Sequence, residues 1–232
     1  GIEVAYLEIA LQRIAPGKHL ELILKTTLEL LAQLPVELGE ESGFICQNPN
    51  SGFWDQWVPE VRDCYKVGII GTGAIGLGSL ALLLSLNHKP ILWSPSGKGT
   101  HAFKKKKLIA RGKVEGEYSP SVVKSAKELA IKSDIIKIAV PAFAHKSVID
   151  AISPFIESRH VITISSHASF SALYLSKKLS ELKVRPLVIV WGTTILTGNK
   201  TGVTSVNISS IREKVDIATV PQGRINEGLK VC

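Results

Sequence analysis

The sequence predicts an α/β fold with a doubly wound parallel sheet, and three observations predict it. From Lys66 onward, short apolar runs rich in Ile and Val alternate with helical stretches, the order that builds a parallel sheet with helices on both faces. A Gly-x-Gly-x-x-Gly turn (Gly71, Gly73, Gly76) follows the first run directly and opens an apolar helix. Clusters of small polar residues then recur where the later runs end.

Taken in order, residues 1–65 form a zone of their own, read as a helical appendage and linker. Leu20, Leu24, Leu28 and Leu31 have helical spacing and Pro35 closes the run. The stretch 39–60, rich in Gly, Asn, Ser and Pro, reads as loop. Residues 66–232 form the main domain. Strands are expected at Val67–Ile70, Pro90–Trp93, Asp134–Val140, His160–Ser165 and Leu187–Trp191. Helices are expected at Ile75–Leu86, Ser125–Lys132 and Ser147–Ile156, the middle one supported by the capping-box spacing of Ser125 and Glu128. The segment 104–120, "KKKKLIARGKVEGEYSP", fits a short hairpin or loop excursion.

Composition narrows the function classes. The 232 residues are 45% hydrophobic, enough for a full core, yet no uninterrupted apolar run approaches the ~20 residues of a membrane helix. No membrane partner is expected. The net charge of +8 comes from basic residues spread along the chain, apart from Lys104 to Lys107, without the interleaved aromatics of a single-strand-binding surface. Nucleic acid is therefore not an expected partner, and homo-oligomer formation stays open. Cys46, Cys64 and Cys232 are odd in number and far apart, so neither a disulfide framework nor a metal site is expected, and a reducing cytoplasm is the expected compartment. With Gly1 first and no Met anywhere, the chain reads as a fragment or a processed product.

The glycine turn carries the chemistry. Gly71 permits the tight turn, Gly73 lets the backbone approach a pyrophosphate, and Gly76 lets the helix pack on the strand. Thr72, Ala74 and Ile75 complete the turn, whose free N–H groups and helix dipole favour an anion. At the end of the second strand, where a carboxylate would hold the ribose 2′-hydroxyl of NAD, stand Trp93, Ser94, Pro95, Ser96, Gly97 and Lys98. Small hydroxyls and a lysine accept a 2′-phosphate that a carboxylate would repel, so NADP is favoured over NAD. Further sites are expected where strands end. Ala139 to Ala142, including Val140 and Pro141, should pass near the cofactor, whereas His145, one turn further on, reads as a surface helix residue. Ser165, Ser166, His167 and Ser169 end one strand; Trp191, Gly192, Thr193 and Thr194 end another. His167, Thr193 and Thr194 are candidates for substrate or cofactor contact.

The segments "GIIGTGAIGLG", "LWSPSG", "AVPAFAHKSV", "ISSHASFSALYL", "VWGTTILTG" and "VDIATVP", in this order from Lys66 to Cys232, resemble the octopine/nopaline (opine) dehydrogenase family. The resemblance implies a Rossmann-like cofactor domain followed by a helical domain. It also implies reduction of the imine formed between an amino acid and a 2-oxo acid. Gly71, Gly73 and Gly76 would hold the pyrophosphate, Ser94 and Ser96 would lie near the adenosine ribose, and Val140 and Pro141 would flank the nicotinamide. The family's catalytic His, which works with an Asp in the second domain, has no matching segment here, so the catalytic residues are expected beyond Cys232. Two other readings stand beside this one: a reductase of the ketopantoate or glycerol-3-phosphate dehydrogenase type, and a non-catalytic nucleotide-binding module.

Overall fold

A computed structural model describes residues 65–166 and 170–232. The expected appendage helix lies outside the described residues, as do His167 and Ser169. The domain is built on a seven-stranded sheet and a four-stranded sheet.

The large sheet runs in the order β11 (Ile217–Val220), β8 (Leu187–Trp191), β7 (Val161–Ile164), β6 (Ile135–Ile138), β1 (Val67–Ile70), β2 (Ile91–Trp93), β5 (Ser121–Val122). All neighbours are parallel except β11, which closes one edge antiparallel to β8. Its central strands are mostly apolar because both faces are covered, as parallel sheets require. Side chains alternate: Ile70, Ile136, Ile138, Ile162, Ile164 and Val188 point to one face, where α3 (Ala126–Lys132), α4 (Ala142–Ile152) and α5 (Ser171–Glu181) bury Leu129, Val148, Ile149, Ile152, Leu175 and Leu179 against them. Ile69 and Leu92 point to the other, under α1 (Ala74–Ser85).

Helix α1 is apolar all round, which a helix with one solvent face would not be. The reason is a second layer. Strands β3 (Leu108–Gly112) and β4 (Gly116–Tyr118) form the hairpin expected from segment 104–120, and β9 (Leu196–Gly202) and β10 (Ser205–Ile211) form another far along the chain. The two hairpins join through a parallel β3–β10 pairing, in the order β4-β3-β10-β9. Leu108, Ala110, Leu196, Val206 and Ile208 of this small sheet are buried in one cluster with Leu77, Leu80 and Ala81 of α1. Gly78 of α1 faces Leu196 so closely that a Cβ there would stand 2.7 Å from its Cδ1.

Local signals account for most boundaries. Ser125 caps α3, its Oγ accepting from the Glu128 N–H at 3.1 Å while the Glu128 carboxylate accepts from the Lys124 N–H at 2.9 Å. Helix α4 starts at Ala142 directly behind Pro141, five residues before the expected Ser147, because Pro141 is extended and serves as the N-cap. Helix α5, strands β9 to β11 and the short α6 (Ile225–Val231) have no counterpart among the elements expected from sequence.

Candidate functional site

The strand order places a topological switch between β1 and β6: from β1 the chain passes outward through β2, then crosses back to β6 on the other side. Ligands of open α/β sheets bind in the crevice beyond the carboxyl ends at such a point. The glycine turn opens into it. Gly71 sits at φ +118°, a conformation that suits glycine, and its N–H donates to the Trp93 carbonyl at 2.9 Å. A Cβ on Gly71 would run into the Ala139 carbonyl and stand 2.8 Å from Val140 Cγ1, so the turn is clamped between the ends of β2 and β6. Gly73 is the opposite case. It is exposed, and among the described residues, its chain neighbours and the helix's own backbone aside, no atom lies within 4 Å of where its Cβ would be.

Gly73 is also the N-cap of α1, whose first intrahelical bond is Leu77 N–H to Gly73 O at 2.9 Å. No side chain caps this terminus and no acidic residue occupies its first turn. The first N–H groups of a helix have no intrahelical acceptor, so Ala74, Ile75 and Gly76 present donors and the positive end of the helix dipole to the space above Gly73. An anion there gains roughly 0.3–1 kcal/mol from the dipole alone.

At the end of β2, Ser94 is buried and its Oγ lies 3.5 Å from Ser96 Oγ, while Ser96 is exposed. Gly97 then caps the one-turn α2 (Lys98–His101), with Thr100 Oγ1 donating to the Gly97 carbonyl at 3.0 Å. This turn rests on Thr72 of the glycine turn, and Lys98 is exposed on it. Lys104 to Lys107 follow, all exposed, with Lys107 Nζ 3.9 Å from a Glu117 carboxylate oxygen. The segment from Trp93 to Lys98 at the end of β2 thus carries two hydroxyls and a lysine but no carboxylate.

At the end of β6, the Ala139 N–H donates to the Ile70 carbonyl at 2.9 Å, and Pro141 is exposed at the head of α4. His145 is not the surface residue expected from sequence. The early start of α4 turns it inward with Val148, Ile149 and Ile152, and it is buried. Its Nε2–H donates to the Val140 carbonyl at 2.9 Å and its Nδ1 meets Ser171 Oγ. Beyond β7, the Ser165 N–H donates to the Ile138 carbonyl at 3.0 Å, while Ser165 Oγ is buried without a hydrogen bond among the described residues. Ser166 sits at φ +96°. At the end of β8, the Gly192 N–H donates to the Asp216 carbonyl at 2.7 Å and the Thr194 carbonyl accepts from Arg212 Nε at 3.1 Å. Thr193 and Thr194 are half-buried. The structure therefore gathers the glycine turn, Ser94, Ser96, Val140 and Pro141 around one switch point, with Thr193 and Thr194 two strands further along the same sheet edge.

Sequence reasoning passed over Lys137. It stands in the middle of β6, on the face shared by Thr163 and Ile189, with its Nζ 3.6 Å from the centroid of the Trp191 ring. Burial lowers its ammonium to about 7, with Cys232 acting weakly in the other direction. The signal was present as a lone lysine inside the apolar run "DIIKIAV".

A dinucleotide fits what is here: an uncapped helix terminus over an open glycine, hydroxyls and lysines at the end of β2, and a buried hydroxyl with no partner among the described residues, Ser165 Oγ, at the end of β7. Among the described residues no helix is long and apolar enough to cross a membrane, and no group of three His, Cys, Asp or Glu side chains could hold a metal ion.

These features define a Rossmann-like NAD(P)-binding domain. Residues 67–221 match ketopantoate reductase PanE/ApbA. The chain belongs to this family. Among solved structures it is similar in fold to an octopine dehydrogenase with NADH and pyruvate, at TM-score 0.60 and 15% identity, covering 67% of this chain and 43% of that one. A yersinopine dehydrogenase with NADP+ bound gives TM-score 0.54 and 17% identity over 67% of this chain and 41% of that one. A putative 2-dehydropantoate 2-reductase from Enterococcus faecalis gives 0.53 and 20% over 72% and 52%. The chain thus spans about half or less of the length of these structures. No curated protein matches the sequence.

Proposed function

We propose that this domain binds NADP(H) and serves an opine-type dehydrogenase, which reduces the imine of an amino acid and a 2-oxo acid. The observation that carries the cofactor reading is the uncapped start of α1 above Gly73, with open space among the described residues where a Cβ there would stand, at the switch point between β1 and β6. In this reading the N–H groups of residues 74–76 hold the pyrophosphate, Ser94, Ser96 and Lys98 face the adenosine ribose and its 2′-phosphate, and Val140 and Pro141 flank the nicotinamide. The bound cofactor supplies the hydride. Hydride transfer needs a closed, water-poor cleft and a positioned acid. A second, helical domain would provide both, leaving Ser165, Thr193 and Thr194 as the contribution of this domain to the substrate side.

The opine substrate class is supported by the Ser-His-Ala-Ser and Trp-Gly-Thr-Thr segments and by the fold shared with octopine and yersinopine dehydrogenases. A second reading, direct reduction of the carbonyl of a 2-oxo acid, is favoured by the family match across residues 67–221. NADPH oxidation by the full protein separates them. The opine reading predicts turnover with a 2-oxo acid only once an amino acid is added. Equal turnover with the oxo acid alone would select the second reading.

A further inference from the structure

We infer that His145 is a positioning residue: its ring ties the turn after β6 to the first residue of α5 and so holds Val140 and Pro141 in place on the nicotinamide side of the site. The inference rests on the cofactor reading above, and three observations carry it. First, His145 is buried on the inward face of α4, and both of its ring nitrogens are engaged. A carbonyl oxygen only accepts, so Nε2 must carry the proton donated to Val140 O at 2.9 Å. In the neutral ring Nδ1 is then an acceptor, and the Ser171 hydroxyl donates to it.

Second, one end of this relay lies at the crevice and the other is anchored in the core. Val140 lies against the glycine turn, 2.8 Å from where a Cβ on Gly71 would stand, and Pro141 follows it. Ser171, itself buried, heads α5 and ends the connection that begins at Ser165. Third, Phe170, the residue directly before Ser171, is a non-glycine residue in the left-handed region at φ +52°, a conformation that persists where surrounding contacts hold it. The imidazole directs its donor and its acceptor to different segments. A side-chain amide at this position would keep one bond and lose the other.

Comparing two ligands tests this: NADPH, and 2′-phosphoadenosine diphosphate ribose, the same molecule without its nicotinamide. The proteins are the wild type, His145→Gln and Ser171→Ala, each with its thermal midpoint measured. Positioning predicts that both variants lose about tenfold in NADPH affinity, the worth of one hydrogen bond, while affinity for the truncated ligand stays within about twofold. A merely structural role would weaken both ligands alike or neither, and that result overturns the inference. If His145→Gln does not fold, Ser171→Ala, which keeps the ring and its bond to Val140, decides the matter. Failure of the wild type to bind either ligand would overturn the cofactor reading and this inference with it. Wild-type binding of both, with an unchanged ratio in the variants, would overturn the inference alone.

Discussion

Ser94 is the residue on which cofactor choice turns in this account. It is buried at the end of β2, where a carboxylate would accept from a ribose hydroxyl but repel a phosphate. Ser94→Asp is expected to shift the NADPH-to-NADH affinity ratio toward NADH by about tenfold or more, on the scale of one charge-assisted contact. An unchanged ratio, measured by titration, would remove Ser94 from that role. Lys137 makes a prediction of a different kind. Its folded value of about 7 lies below the ordinary 10.5, so between those values the unfolded chain holds a proton that the folded chain has released. Stability contributed by this group therefore rises with pH across that window, and below it the buried ammonium costs on the order of 5 kcal/mol. Lys137→Met should raise the thermal midpoint by several degrees at pH 6 and by little at pH 10.5. An equal gain at both would assign the effect to packing alone.

At the scale of elements, α1 joins the fold to the site. Its apolar sequence is explained by burial between two sheets, and its N-terminus is the anion-binding end. Leu80, fully buried between them, should cost ~2–5 kcal/mol when cut to Ala, read as a lower denaturant midpoint. A loss under 1 kcal/mol would mean that the small sheet does not pack on α1. The strands β1, β2, β6, β7 and β8 were legible in the sequence because each is a short apolar run, and α3 because Ser125 and Glu128 are a capping pair. Strands β9 and β10 were not, since "LTGNKTG" and "SVNISSI" carry little hydrophobic alternation and the pairing of β10 with β3 links segments about 100 residues apart in sequence. The all-round apolarity of α1 was the one advance sign of a second layer. The position of His145 was misread because the start of α4 is set by Pro141 and not by the polar residues near Ser147.

For the whole molecule, a seven-stranded sheet with a switch point, a glycine turn and a family match over residues 67–221 agree on a nicotinamide-cofactor domain. The glycine positions were readable because each rests on local backbone geometry. The Val140–His145–Ser171 relay was not, because it depends on how α4 and α5 are set against the sheet. The measurement closest to the central claim is a fluorescence titration of wild type and Gly73→Val with NADPH and with NADH. The account predicts saturable wild-type binding, tighter for NADPH, and at least about tenfold weaker binding by Gly73→Val with an unchanged thermal midpoint, since among the described residues the new Cβ enters open space on the side where the ligand would lie. A folded wild type that binds neither cofactor, or a Gly73→Val that binds as well as wild type, would contradict it.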